Sequence, residues 1–237
     1  MKINVQKSQE RGTAEHDWLH SHFSFSFAEY YNPKKMGFGT LRVLNDDIID
    51  AGSGFPTHPH DNMEIVTIVL EGALKHKDSM GNEGIIPKGD VQRMSAGTGV
   101  RHSEFNASQT EQAKLLQIWV YPKKRNIEPS YEQKTFLKKE RKNKLQIIVS
   151  GFSENGAMKM NQDGKFVLCD LEKGKKASYS LKSTEQGLYV FVIKGKIKIA
   201  TTELSERDTA EITEAEKVEL NALQNSEILF IEIPMSH

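Results

Sequence analysis

Apolar residues along this chain arrive in short, β-branched runs bounded by turn residues, with no long helical period. Residues 65–70 read IVTIVL and stop at Glu71-Gly72, which predicts a buried strand followed by a turn. Residues 115–121 (LLQIWVY) form a second run, ended by Pro122. Residues 145–149, 165–171, 188–193, 196–200 and 227–233 repeat the pattern in the second half. Gly151, Gly164, Gly174, Gly187 and Gly195 punctuate them at the spacing of a sandwich or barrel. One short helix is expected, around residues 135–144. The class is all-β.

The two halves share a rhythm. IVTIVLEG closes on Gly72 and YVFVIKG closes on Gly195, each a strand, a glycine turn and a further strand. This pattern points to a duplication, two β-barrels in tandem. Between them, residues 122–144 hold nine Lys/Arg against three acids, together with Pro122 and Pro129. The expected division is therefore a first domain over residues 1–122, a basic connector over 123–144 and a second domain over 145–237. The lysine run at 138–144 reads as a solvated face, as charge runs usually do.

Composition narrows the function classes. The 237 residues carry 32 basic and 32 acidic side chains, so bulk electrostatics offer nothing to nucleic acid or to an acidic membrane. A single cysteine, Cys169, forms neither an internal disulfide nor a cysteine zinc site; it is expected to be a small buried hydrophobe. No run approaches the roughly 20 apolar residues of a membrane span. A soluble, cytoplasmic protein is expected.

The eight histidines are the unusual feature. They are His16, His20, His22, His58, His60, His76, His102 and His237, and residues 103–236 contain none. A histidine-held metal therefore belongs to the first half. His58-Pro59-His60 places two imidazoles on one face of a strand, with Glu64 four residues on. His102-Ser103-Glu104 is another pair two apart, approached through Ser95-Ala96-Gly97-Thr98-Gly99, whose glycines let the chain turn. Two strands, each presenting two such groups, offer three imidazoles and a carboxylate to a borderline first-row ion, with positions left open for substrate.

Residues 52–72 resemble the first cupin motif, and Pro87-Lys88-Gly89 resembles the start of the second. Gln92 stands where the second motif has a histidine, and seven residues separate Glu64 from Gly72 where six are usual. Both departures fit one subfamily. FSFSFAEYYNP, HPHDNMEIVTIVLEG, LKHKDSMGNEG and IPKGDVQRMSAGTGVRHSEFN resemble the pirin family over about residues 11–122. The resemblance implies two cupin barrels, with one metal ion only in the N-terminal barrel, held by His58, His60, His102 and Glu104; Glu64 is not a ligand. It implies a divalent transition metal, with Fe(II) first and Ni, Cu, Mn, Co or Zn as alternatives.

Two functions follow from that family. One is a quercetin 2,3-dioxygenase, with a flavonol or similar aromatic and O2 as reactants and Glu104 as the base for the substrate's 3-hydroxyl. The other is an interaction or transcriptional co-regulator module that responds to the metal's redox state through a protein partner. Around the ligands, His22, His76 and Gln92 are expected beside the site, in contact with a ligand or lining a substrate pocket. Phe23, Phe25 and Phe27 alternate onto one face as core or pocket wall, and Phe38, Phe55, Met63 and Met94 are further wall candidates. His16 and His20 are expected at the surface.

Overall fold

The apolar runs become the central strands of two wide sheets, because each has hydrophobic partners on both faces. The computed structural model describes residues 1–236; His237 lies outside them. The first half forms β1 (Lys2–Gln6), β2 (Gly12–Glu15), β3 (Leu19–Phe23), β4 (Leu41–Ile49), β5 (Gly54–His60), β6 (Glu64–Glu71), β7 (Ala73–Asp78), β8 (Glu83–Pro87), β9 (Asp90–Ser95), β10 (Val100–Asn106) and β11 (Ala113–Val120). After β12 (Ser130–Thr135) come β13 (Gln146–Ser150), β14 (Met158–Lys159), β15 (Lys165–Leu171), β16 (Lys176–Ser180) and β17 (Gln186–Lys194). The chain ends with β18 (Lys196–Ile199), β19 (Thr202–Ser205), β20 (Thr209–Thr213), β21 (Lys217–Ala222) and β22 (Ser226–Pro234).

One seven-stranded sheet has the order β12-β9-β6-β11-β4-β3-β2, and the other β1-β20-β17-β22-β15-β13-β14. The four-stranded sheets β5-β10-β7-β8 and β16-β21-β18-β19 close the two barrels. The first six strands of the two orders correspond, as a duplication requires, while the last differs: β14 runs parallel to β13, whereas β2 runs antiparallel to β3. The fold is all-β, with two barrels in tandem.

Side-chain alternation on the wide sheets explains the unbroken apolar runs. On β6, Ile65 and Val69 face the first barrel, whereas Val66 and Ile68 pack against the other domain. The interdomain core joins Val66, Ile68, Leu116 and Ile118 to Phe166, Tyr189, Phe191 and Leu229. At its edge, Asp46 lies 3.2 Å from both Arg11 and Arg207, and both guanidiniums sit over the Phe191 ring. No helix among the described residues is long and apolar enough to cross a membrane.

Two features differ from the pattern expected of the sequence. Sheet membership departs from the division at residues 122 and 145: β1 pairs with β20 in the second barrel, and β12 pairs with β9 in the first. No α-helix forms at 135–144. Thr135 completes β12, only Lys138–Glu140 makes a 3-10 turn, and Asn143 has φ +53°. The segment lacks an apolar stripe, and Lys138 and Lys142 would stack like charges one turn apart.

Candidate metal centre

β5 is an edge strand, so Pro56 and Pro59 fit into it without disrupting a two-sided ladder. It also carries a bulge. His102 pairs with His58, but Glu104 pairs with Phe55, so β5 spends one more residue than β10 between those pairs. Such a bulge re-aims the side chains beside it. Gly54 permits the close approach, since a Cβ there would lie 2.4 Å from the Phe105 Cα. Gly97, at φ +49°, makes the turn before β10, where a Cβ would lie 2.1 Å from the Ile127 carbonyl oxygen.

These features bring His58, His60 and His102 together, with their ligand atoms all within 4.8 Å of one another. Ring centroids are 4.5 Å apart for His58–His102, 4.8 Å for His58–His60 and 4.9 Å for His60–His102. The Nδ1–H of His58 donates to the Pro56 carbonyl oxygen at 2.8 Å, which leaves Nε2 to face His102 Nε2 at 3.0 Å. Burial lowers the His60 pKa to about 4 and the His102 pKa to about 2, with the charge of His58 acting in the same direction. Convergent imidazoles, two of them held in the neutral form, suit a first-row transition ion, so the residues present fit the metal that the sequence implies.

Glu104 shares the inward face of β10 with His102 but is engaged elsewhere. Its Oε2 accepts from Gln117 Nε2 at 2.7 Å, and its Oε1 lies 3.4 Å from Thr67 Oγ1. Thr67 in turn donates to Gln117 Oε1 at 2.8 Å. Burial pushes the Glu104 carboxyl up to about 7, against the hydrogen bond from Thr67.

His76 is fully buried on β7, opposite Glu104 in register. It stacks on Tyr131 with centroids 5.0 Å apart and lies 5.5 Å from His102. Neither of its ring nitrogens has a hydrogen-bond partner among the described residues; nor do His102 Nδ1 and Gln92 Nε2. Gln92 pairs in register with Thr67 and Gln133, which places it in the same interior.

Other expectations are displaced. His22 alternates out of the interior: its neighbours Ser21 and Phe23 are buried, and its carbonyl accepts from Arg11 Nη2 at 2.7 Å. Phe38 belongs to the interdomain core, 5.9 Å from Tyr189, and Phe25 packs on the same tyrosine. The phenylalanine alternation breaks because β3 ends at Phe23. Phe27 instead packs edge-on against Trp119, which packs edge-on against His60 at 4.8 Å. Phe55 lies 6.4 Å from His58, while Met63 and Met94 form a small cluster with Ile65 and Val100. Cys169 is buried and its thiol is pushed up to about 11 by burial, which leaves it unreactive.

Sequence reasoning missed Thr67, Gln117, Trp119 and Tyr131. Two of them left a signal. Thr67 is the one polar residue within IVTIVL, Gln117 the one within LLQIWVY, and the two are register partners.

Residues 4–120 match the family model described as Pirin, and residues 147–233 match the model described as Quercetinase C-terminal cupin domain. A quercetin 2,3-dioxygenase of Escherichia coli K12 is 43% identical over 232 residues, covering 98% of this chain and 99% of the relative. A pirin-like protein of Caulobacter vibrioides is 39% identical, covering 97% and 99%. The crystal structure of the E. coli bacterial pirin YhhW in complex with nickel(II) superposes with a TM-score of 0.93 at 42% identity, covering 98% and 99%. On these matches, and with two barrels in the corresponding arrangement, the chain belongs to the pirin family.

Proposed function

We propose that this protein is a metal-dependent dioxygenase of the quercetin 2,3-dioxygenase type, opening the heterocycle of a flavonol or a similar enolisable aromatic with O2. The observation that carries the reading is the convergence of three imidazoles beside a buried carboxylate, in a chain whose relatives include a named quercetin 2,3-dioxygenase. His58, His60 and His102 would hold one divalent first-row ion, with Glu104 as the fourth ligand. Fe(II) is the leading ion, and the nickel(II) complex of a related pirin supports a single transition ion. When bound, that ion organises the deprotonated substrate and O2 and tunes electron flow between them.

The chain's own residues do the rest. Glu104 takes the proton of the substrate's 3-hydroxyl on a carboxylate oxygen, and Gln117 orients that carboxylate from the other side. Trp119, backed by Phe27, gives a flat apolar wall next to His60 against which an aromatic ring can lie while water is kept away. His76, wedged between Tyr131 and His102, restrains the His102 ring, and Gln92 lines the same interior. O2 adds across the heterocycle, which opens with loss of carbon monoxide.

The test is anaerobic metal analysis followed by oxygen uptake with quercetin. One metal per chain, with O2 consumed and carbon monoxide released in step, is the expected result. A chain that binds no transition metal overturns the reading. Metal binding without turnover of any flavonol favours the redox-responsive interaction module.

A further inference from the structure

A second site lies outside the barrels. Where the connector leaves β11, a cleft of about 400 Å³ opens between the two domains. Arg93 of β9, Lys123 and Lys124 of the connector and Lys159 of the second barrel line it, with Asp163 as the one lining acid. Arg93 is paired with Glu132 and Lys123 with Asp163, so the excess positive charge of the cleft comes from Lys124 and Lys159.

The base of the cleft is built. Arg93 is buried on the face of β9 opposite Gln92, and its Nη1 donates to Ser130 Oγ at 2.7 Å and Ser95 Oγ at 3.1 Å. The guanidinium is thus fixed but incompletely satisfied. Its Nη2 reaches Glu132 only at 3.4 Å, and its Nε has no partner among the described residues. Asp163 is taken by Lys123 at 2.5 Å. Lys124 and Lys159 have no ion-pair partner among the described residues, although they approach from different domains.

The walls are equally fixed. Lys123 N donates to the Asn161 carbonyl, Asn161 Nδ2 to the Lys124 carbonyl and Gln162 Nε2 to the Tyr121 carbonyl, each at 2.7 Å. Asn161 N donates to Glu64 Oε2 at 2.9 Å. These bonds hold like charges together across the domain seam, an arrangement that an anion between them stabilises.

We infer that this cleft is a binding site for a small anion of the phosphate-ester class, gripped by Arg93 from below and by Lys124 and Lys159 from the two domains. The Ser95 hydroxyl donates to Glu64 at 2.8 Å, so the donors left for phosphate oxygens are the Arg93 guanidinium, the Ser130 hydroxyl and the flexible ammonium groups. The site stands on its own geometry and does not rest on the proposed chemistry of the imidazole cluster.

Inorganic phosphate is the probe, titrated into the full chain while the Arg93 Nε–H resonance is followed by 15N NMR. Saturable one-to-one binding is expected, with a Kd on the order of 1 mM or below at low ionic strength. Reversing the two exposed rim charges together, K124E/K159E, should weaken it by about tenfold or more. His58→Ala should leave it unchanged, which separates this site from the metal centre. R93Q provides a further check on the base, and the rim pair decides the matter if that variant does not fold. A response still linear at roughly 50 mM phosphate, equal affinity in the rim variant, or loss in His58→Ala would each overturn the inference.

Discussion

One row of register-paired residues crosses the wide sheet of each barrel, and the two rows have opposite chemistry. In the first barrel it runs Phe23, Asn45, Gln117, Thr67, Gln92, Gln133. At the corresponding positions of the second it runs Ile147, Val167, Phe230, Val190, Ala210, Val5. The facing sheets repeat the contrast. His102 and Glu104 correspond to Val218 and Leu220, His58 to Tyr179, and His76 to Ile199. Even the register shift between Val69 and Glu71 of β6 recurs, between Val192 and Lys194 of β17. The backbone plan therefore does not require the polar row. That row divides the first barrel's apolar interior into two small clusters, whereas the second barrel keeps one continuous core. Each buried polar group costs about 1–3 kcal/mol unless it is well paired, so the first barrel gives up stability for chemistry.

Removing the imidazoles should have the largest effect. His58→Ala combined with His102→Ala makes the first barrel resemble the second, and the protein should lose its bound metal completely by elemental analysis. Glu104→Gln keeps the shape and the bond to Gln117; turnover measured by oxygen uptake should fall by about 10²–10⁴-fold while the fold persists. An active Glu104→Gln protein would remove the proposed base.

The polar interior of the first barrel should also make stability depend on pH. Asp47, which accepts from Ser21 at 2.6 Å inside the first barrel, is pushed up to about 7 by burial, with the charge of Asp46 adding to the effect. A raised folded-state pKa means that its contribution is fully present below about pH 4 and is lost as pH rises through 7. Asp47→Asn should therefore gain about 2 kcal/mol relative to the parent at pH 8, and not at pH 4, by chemical denaturation. The smallest expected effect is the reverse exchange. Val190→Thr puts the residue type of Thr67 into the second barrel, where no amide awaits it, and should cost about 1–2 kcal/mol by the same measurement.

Much of this contrast was legible locally, because His58, His60, His102 and Glu104 lie on neighbouring strands and carry their spacing within short motifs. The strand runs were legible for the same reason: β-branched stretches bounded by glycine announce themselves. Partnership across strands was not. Gln117 and Thr67 meet only through the pairing of β6 with β11, and Tyr131 reaches His76 only because β12 crosses into the first barrel. His22 misled because alternation alone does not say which face is inside; Ser21 and Asp47 settled that. The polar middle residue of each apolar run was the one long-range feature that the sequence did display.

The first strand of the chain completes the last barrel. Gln6 pairs with Thr209, so β1 emerges from the ribosome with its partner still some 200 residues unmade. At ordinary synthesis rates that interval is about 10–40 s. Throughout it, Val5 has no row to complete and β1 no sheet to join. The first barrel can close around its histidines meanwhile, since none of its strands is β1. Synthesis order thus separates the two barrels in time, with β1 waiting for β20 to be made.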